Sequence, residues 1–241
     1  MHIIKIEQTD STNNWLVRHE EEIKEPTLVY CHEQKAGRGQ RGNSWESEPG
    51  KNITASLIFR PQCFAAHRQF EISEAVVLAI IEFLKDYGVE PKIKWPNDIY
   101  VGDRKICGIL VEQSVIGSQI LRSISGMGIN INQEEFLSDA PNPVSIIMLT
   151  GKSFDIDEAI GKLACYLEKN INKLEGEHNF HRDFLSCLWR KDGECHSFYD
   201  RKNEEKIEAE IIDVAKDGML RLRTDKGEIR TYAFKEVEFI V

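Results

Sequence analysis

The chain has 241 residues, and 31 Lys and Arg against 40 Asp and Glu give it a formal net charge of −9. This balance excludes a generally basic nucleic-acid binder. With 41% hydrophobic and 29% charged residues, the composition predicts a globular protein with a buried core, not a disordered or collagen-like chain. The length fits one large domain, or one large domain followed by a small one.

The beginning of the chain and its cysteines favour a cytoplasmic location. His2–Asp10 has no apolar signal core, and no later run approaches the roughly 20 apolar residues that span a bilayer. The six cysteines stand far apart without a C-x-x-C pair, which favours reduced thiols over a disulfide framework. We therefore expect a cytoplasmic protein without a membrane partner.

Hydropathy patterns predict an opening strand, helix and strand. Apolar alternation indicates strands over His2–Gln8 and Thr27–Gln34, and the polar helix between them begins near Asp10 or Ser11. A further strand, apolar on both faces, is predicted over Ile53–Phe59.

A long helix and a run of strands come next. Apolar residues at helical spacing predict a helix over Gln69–Tyr87, and Gly88 is placed to end it. Turns that are too short to hold a helix then separate four predicted strands, so these strands form an antiparallel meander and not a doubly wound sheet. The four are Lys92–Trp95, Ile99–Val101, Lys105–Ser114 and Gln119–Asn132.

The last third of the chain changes from helices to short strands. Asp155 and Glu158 resemble a capping box that opens a helix reaching Leu174, and a second helix is predicted over Phe180–Arg190. Four short strands after residue 193 suggest a small barrel, so we predict two domains, 1–191 and 192–241. The four strands are Lys206–Val214, Met219–Arg223, Ile229–Phe234 and Val237–Val241.

A glycine-rich segment follows the second strand. Gly37, Gly39 and Gly42 form a literal G-x-G-x-x-G, but the Rossmann fingerprint must open a helix, and Asn43–Lys51 contains a proline and a glycine instead. Two readings stay open, a solvated hairpin loop and a flexible loop that wraps an anion with its amides and cations. The cations are Lys35, Arg38 and Arg41.

A second cationic segment starts with Lys94-Trp95-Pro96-Asn97-Asp98 and continues to Lys105 and Gly108. Pro96 and the Asn-Asp pair predict a rigid corner. Lys105 begins an apolar strand, where a lysine either finds an anionic partner or reaches out to water. Residues 35–51 and 92–105 each hold four basic and two acidic residues, a local excess that suits a polyphosphate or carboxylate ligand.

Two further segments carry alternative readings. The polar cluster Asp10–Asn13 either caps a helix or binds a polar ring. The strand Ser125–Asn132 contains two glycines, which mark either a β-bulge or a place where another group approaches the backbone closely.

Together these segments resemble the biotin protein ligases. The resemblance rests on D-S-T-N at 10–13, G-R-G-Q-R-G at 37–42 with Trp45, K-W-P-N-D at 94–98, K-I-C-G-I-L-V-E at 105–112 and G-M-G-I-N at 126–130. It implies an α+β fold, namely a catalytic domain like that of class II aminoacyl-tRNA synthetases, with a mixed, mostly antiparallel sheet, followed by an SH3-like barrel. It also implies a two-step reaction, in which biotin and MgATP form biotinyl-5′-AMP and a lysine of a biotin carboxyl carrier protein domain then receives the biotin.

The resemblance assigns roles to individual residues. Lys105, Arg38 and Asp98 are implied to be catalytic, with Asp98 either orienting Lys105 or receiving the carrier lysine. The implied biotin-binding residues are Ser11, Thr12, Asn13, Gln34, Gly37, Arg38, Gly39, Gln40, Lys105 and Gly108. The implied residues for ATP and the adenylate are Arg38, Arg41, Trp45, Lys94, Asn97, Lys105 and Asn130. No metal site is predicted beyond the Mg²⁺ that accompanies ATP.

The sequence departs from relatives in two places. Many of them carry a DNA-binding domain before the D-S-T-N motif, which here starts at residue 10, so we expect no DNA partner. Phe234-Lys235-Glu236 replaces the glycine pair before glutamate that relatives often have, which leaves the barrel's part in ATP or carrier binding open. Sheet edges are compatible with a homodimer.

Two other functions compete with this one. A lipoate ligase or octanoyltransferase shares the fold and a comparable lysine, but the glycine-rich loop and K-W-P-N-D favour biotin. A non-catalytic biotin or nucleotide sensor would keep the pocket, but the presence of Lys105, Arg38 and Asp98 favours an enzyme.

Overall fold

The structure, a computed structural model, describes residues 1–39, 43–137, 142–176 and 178–240. A seven-stranded sheet has the order β1-β2-β3-β7-β6-β5-β4, in which only β1 and β2 pair in parallel. The predicted mixed, mostly antiparallel sheet is therefore confirmed. Its strands are β1 (His2–Thr9), β2 (Thr27–Gln34), β3 (Ile53–Phe59), β4 (Pro91–Lys94), β5 (Asp98–Val101), β6 (Arg104–Ile116) and β7 (Gln119–Ile129).

Helices cover both faces of this sheet. The helices are α1 (Thr12–His19), α2 (Gln69–Lys85), α3 (Ile146–Thr150), α4 (Ile156–Lys173) and α5 (Phe180–Ser186). On one face Leu16 of α1 packs with Ile58 of β3, and on the other Leu57 belongs to the large core shared with α2 and α4. Because both faces of β3 are covered, all seven of its residues are buried, which explains its continuous apolar sequence.

The C-terminal part is a five-stranded antiparallel sheet with the order β11-β10-β9-β8-β12. Its strands are β8 (His196–Asp200), β9 (Glu205–Val214), β10 (Leu220–Thr224), β11 (Ile229–Tyr232) and β12 (Val237–Phe239). Phe198 and Leu222 are fully buried and belong to the same apolar core as the seven-stranded sheet, so the two sheets pack against one another.

One local prediction is wrong, and two elements of the structure were not predicted. The last helix ends at Ser186 rather than Arg190, because the chain then pairs with β4, where the Ile93 N–H donates to the Cys187 carbonyl at 2.8 Å. The short helix α3, which begins with Ser145 accepting from the Met148 N–H, was not predicted. Neither was β8, whose five residues follow a polar loop without a clear start.

In the described parts of the chain, no helix is both long and apolar enough to cross a bilayer. All six cysteines are free thiols, in agreement with the expected absence of a disulfide framework.

Candidate active site

A cleft of about 1190 Å³ lies over the glycine-bearing stretches of β6 and β7. Its walls come from the start of α1, the glycine-rich loop, the β4–β5 corner and the C-terminal sheet. The predicted site residues that line it are Ser11, Thr12, Asn13, Gln34, Arg38, Gly39, Trp45, Lys94, Asn97, Asp98, Lys105, Gly108 and Asn130. Gly37 lies outside the lining, and the predicted residues Gln40 and Arg41 fall outside the described residues.

One end of the cleft is uncharged and built on a buried hydrogen-bond network. The Thr12 N–H donates to Gln34 Oε1 at 3.0 Å, and the Ser56 hydroxyl lies 2.6 Å from both Thr12 Oγ1 and Asn13 Oδ1. Ser11 sits at the N-cap of α1, but its side chain makes no capping bond. A side-chain capping bond therefore does not account for Ser11, which lines the cleft.

Glu112 joins this uncharged end to the glycine-rich loop. Its Oε2 accepts from Asn13 Nδ2 at 2.7 Å, while its Oε1 accepts from Arg38 Nη2 at 2.9 Å. Arg38 also donates to Asn14 Oδ1 at 2.7 Å. Sequence reasoning missed Glu112 and Ser56 as site residues. Glu112 could have been recognised in the sequence, because it is a charged residue that directly follows apolar residues of β6.

Lys105 and Asp98 form the charged centre of the cleft. Lys105 Nζ lies 2.8 Å from Asp98 Oδ2, and the two side chains are 23% and 30% exposed. They meet across the β5–β6 pair, whose register shifts between Ile99 and Tyr100. Lys105 therefore has the anionic partner that its place in an apolar strand required, and its ammonium stays accessible from the cleft.

Trp45 lies over the glycines of the sheet floor. A Cβ at Gly128 would overlap its indole, and one at Gly108 would lie 2.8 Å from Cζ3. The β6–β7 register shift occurs at Ser114 and not at these glycines, so the bulge reading is wrong and the close-approach reading is correct. The indole N–H is buried and has no hydrogen-bond partner in the described structure.

The described part of the glycine-rich loop is a closed turn. The Trp45 N–H donates to the Gly37 carbonyl at 2.9 Å, and the Gly39 N–H donates to the Asn43 carbonyl at 2.7 Å. A Cβ at Gly37 would overlap the Trp45 carbonyl oxygen, which explains the glycine there. No helix follows in residues 43–52, so the rejection of a dinucleotide fold is confirmed.

Lys94 is held in an aromatic cage. Its Nζ donates to the Tyr100 hydroxyl at 2.9 Å and lies 4.5 Å from the centroid of that ring and 5.5 Å from those of Trp189 and Phe239. Burial lowers the pKa of Lys94, while the nearby Asp98 raises it. Lys94 thus lines the cleft, but its ammonium already contacts aromatic rings. These contacts were not predicted from the sequence.

Two buried asparagines line the cleft. The Asn97 amide donates to the Ile109 carbonyl and fixes the β4–β5 corner. The Asn130 amide donates to the Val144 carbonyl at 3.0 Å, whereas its Oδ1 is buried without a partner among the described residues. Asn130 therefore has an acceptor to offer a ligand.

The C-terminal sheet contributes a wall of the cleft and supports the β4–β5 corner. Trp95 Nε1 donates to the Gly218 carbonyl at 2.9 Å, and the rings of Trp95 and Phe234 meet edge to face with centroids 6.2 Å apart. The C-terminal residues that line the cleft are Arg201, Phe234, Lys235, Val237, Glu238 and Phe239.

The Trp95 contact leads to a stability prediction. We expect Trp95→Phe to lower the free energy of unfolding by about 1 kcal/mol, because it leaves the Gly218 carbonyl without its donor. For a chain of this size that loss lowers the Tm by about 2–4 °C. Calorimetry beside Trp189→Phe, a buried indole in a similar ring environment, checks it. Equal shifts in both variants would assign the effect to ring size and not to the hydrogen bond.

Comparison with known proteins places this site in a family. Residues 5–130 match the biotin/lipoate A/B protein ligase family. The chain belongs to this family. Over 217 residues, or 87% of its length, it is 27% identical to a bifunctional ligase/repressor BirA of Bacillus subtilis, and it covers 65% of that protein.

Two further proteins show the extent of the similarity. A biotin–[acetyl-CoA-carboxylase] ligase of Paracoccus denitrificans is 32% identical over 164 residues, which are 65% of this chain and 68% of that protein. A biotin protein ligase of Aquifex aeolicus, solved with biotin and ATP, superposes with a TM-score of 0.80 at 25% identity, covering 99% of this chain and 98% of that one. The chain spans less than two thirds of the BirA proteins, 65% in Bacillus subtilis and 38% in Escherichia coli.

Proposed function

We propose that this protein is an ATP-dependent biotin protein ligase, which activates biotin as biotinyl-5′-AMP and transfers it to a lysine of a biotin carboxyl carrier protein domain. The observation that carries the proposal is the convergence of Arg38 and Lys105 on one cleft, beside an uncharged pocket of hydrogen-bonding groups. The similarity to a biotin–[acetyl-CoA-carboxylase] ligase and to the Aquifex biotin protein ligase, which was solved with biotin and ATP, supports it.

In the first step, a biotin carboxylate oxygen bonds to the α-phosphorus of ATP while the bond to the β-phosphate oxygen breaks and pyrophosphate leaves. Both reactants are anions, so the barrier falls when fixed cations hold them together. We assign this role to Lys105, whose ammonium is oriented by Asp98 at 2.8 Å. Arg38 lines the same cleft and would bind the ligand there in exchange for Glu112.

In the second step, the carrier lysine attacks the acyl carbon of the adenylate as a neutral amine, forming the C–N bond while the C–O bond to AMP breaks. The ammonium of that lysine must first lose a proton, for which we propose the Asp98 carboxylate as the acceptor. Asp98 is the carboxylate nearest to Lys105 in the cleft, and its 30% exposure keeps it within reach of an incoming amine. We assign two roles to Asp98: it orients Lys105, and it receives the incoming carrier lysine.

Biotin's ureido ring is neutral, so it fits the uncharged end of the cleft. We assign the ring to the network around Thr12 and Asn13, and the carboxylate to Lys105. The full proposed biotin set is Ser11, Thr12, Asn13, Gln34, Gly39, Arg38, Lys105 and Gly108, with Gly37 acting through the shape of its loop. Gln40 stays a prediction.

The nucleotide is assigned to the charged centre and the β4–β5 corner. Asn130 offers a free buried acceptor, and Trp45 offers an apolar face and an unpaired N–H. The remaining proposed residues are Arg38, Lys94, Asn97 and Lys105, while Arg41 stays a prediction. No group of three or more His, Cys, Asp or Glu side chains in the described residues could hold a metal ion. Mg²⁺ would arrive bound to the phosphates of ATP and would neutralise part of their charge.

Several finer features belong to the same proposal. We assign 1–191 to a catalytic domain of the class II synthetase type and 192–241 to an SH3-like barrel, which the strand order of the C-terminal sheet supports. The six free thiols support a cytoplasmic location. Homodimerisation is proposed through β1, the edge strand of the large sheet.

The decisive experiment measures pyrophosphate exchange into ATP with biotin or lipoate, followed by mass spectrometry of a carrier domain incubated with the protein, biotin and MgATP. We expect exchange with biotin alone and a carrier heavier by one biotinyl group. Exchange with lipoate but not biotin would establish a lipoate ligase instead. Biotin binding without exchange would indicate a sensor.

A further inference from the structure

Lys235 has a backbone conformation that does not suit its side chain. It lies in the turn between β11 and β12 with φ at 68°, the left-handed region that glycine adopts freely and lysine does not. The turn itself is held by Glu236, whose carboxylate accepts from the Ala233 N–H and pairs with Lys202, both at 2.6 Å. The Lys235 side chain is therefore not needed to close the turn.

The charge of Lys235 also stands apart from the other cations in the cleft. Arg38 pairs with Glu112, Lys105 with Asp98 and Arg201 with Glu238, while Lys94 is bonded to Tyr100 inside its aromatic cage. Within the described residues, Lys235 has no ion pair or hydrogen bond to its side chain, and its Nζ lies 5.8 Å from the Phe234 ring centroid. Among the described residues, it can meet an anion without breaking an ion pair or a hydrogen bond.

The position of Lys235 indicates which anion it meets. Its neighbour Phe234 contacts Trp95, which belongs to the corner that carries Asp98 and, through it, Lys105. The uncharged end around Asn13 is formed instead by α1 and β6. A ligand that reaches from the uncharged end to Lys105 and continues along the β4–β5 corner therefore extends towards Lys235.

We propose that Lys235 binds the β- and γ-phosphates of MgATP and, after the first step, the pyrophosphate that leaves. The proposal rests on the proposed ligase function and adds a nucleotide-binding residue that the C-terminal sheet supplies. The strained backbone of Lys235 is then tolerated because it places a cation without an ion pair beside the terminal phosphates.

The test uses a substitution that relieves strain and removes charge together. We expect Lys235→Gly to weaken the binding of MgATP and of pyrophosphate about tenfold, the loss of one charge-assisted contact, while the Tm rises by about 2 °C or stays level. Lys235→Gln, which keeps the strain, is expected to lose the same affinity without a gain in Tm. Calorimetric titration in the presence of biotin measures both ligands, and the KM for biotin should stay unchanged.

The matched control is Glu204→Gly, since Glu204 also has a positive φ, 54°, in the turn between β8 and β9 but does not line the cleft. It should show the change in Tm without the change in affinity. Parental binding of MgATP and pyrophosphate by Lys235→Gly would overturn the proposal, as would a raised KM for the carrier domain alone. Because pyrophosphate titration needs no turnover, these results are distinct from a failure of biotin-dependent exchange in the parent protein.

Discussion

Replacing Lys105 by methionine is expected to reduce kcat/KM for biotin-dependent ATP–pyrophosphate exchange by about 10³-fold, with the fold intact. Methionine keeps an unbranched side chain of nearly the same length and removes the ammonium that pairs with Asp98, whose Oδ2 lies 2.8 Å from Nζ. Two anions must then approach each other with Arg38 as the remaining cation of the cleft centre. Steady-state exchange assays with circular dichroism of both proteins measure the effect.

Two further variants distinguish the role of Lys105 in catalysis from the effect of removing any positive charge from the protein. Lys92→Met removes a lysine from the exposed side of β4, outside the cleft, and should exchange at the parental rate. Asp98→Asn keeps the Lys105 ammonium but removes its partner, so we expect an intermediate loss and a greater effect on carrier biotinylation than on exchange. If Lys105→Met biotinylates the carrier as fast as the parent, the assigned chemistry is wrong.

Local patterns were sufficient to predict most elements of the fold. β3 and α2 are long, strongly periodic segments, and the structure reproduces β3 over Ile53–Phe59 and begins α2 at Gln69, as predicted. The short turns between β4 and β7 imposed antiparallel pairing, because such links cannot cross over a sheet. The predicted end of the last helix was wrong because tertiary contacts decide where it ends. The residues after Ser186 leave the helix and pair with β4.

The candidate site shows the same division. The cationic segments around Arg38 and Lys105 stood out by charge, and the structure brings both to one cleft. Ser56 and Glu112 did not stand out, since their roles depend on which residues of β3, β6 and α1 come together in space. The cage around Lys94 likewise joins Tyr100 to rings about 90 and 140 positions further on, a pairing that no local pattern encodes.

Gly126→Ala is expected to raise the KM for biotin at least tenfold and to change the KM for ATP much less. A methyl group at Gly126 would overlap Asn13 Oδ1 and lie 3.0 Å from Asn13 Cγ. Asn13 is 97% buried, and its amide is fixed on one side by Ser56 at 2.6 Å and on the other by Glu112 at 2.7 Å. The side chain can yield only by giving up both bonds, each of which contributes about 1 kcal/mol.

A shift of Asn13 would also disturb Glu112 and, through it, Arg38, because Glu112 Oε1 accepts a hydrogen bond from Arg38. We therefore expect the free energy of unfolding of Gly126→Ala to fall by about 1–3 kcal/mol, the usual cost of overpacking a core. The control is Gly161→Ala, where nothing lies within 4 Å of the added Cβ and a helical glycine is replaced by the best helix former. Titration calorimetry with biotin compares the two variants with the parent. Parental biotin affinity in Gly126→Ala would show that the ureido ring does not bind at the Asn13 network, because a methyl group there cannot leave that amide in place.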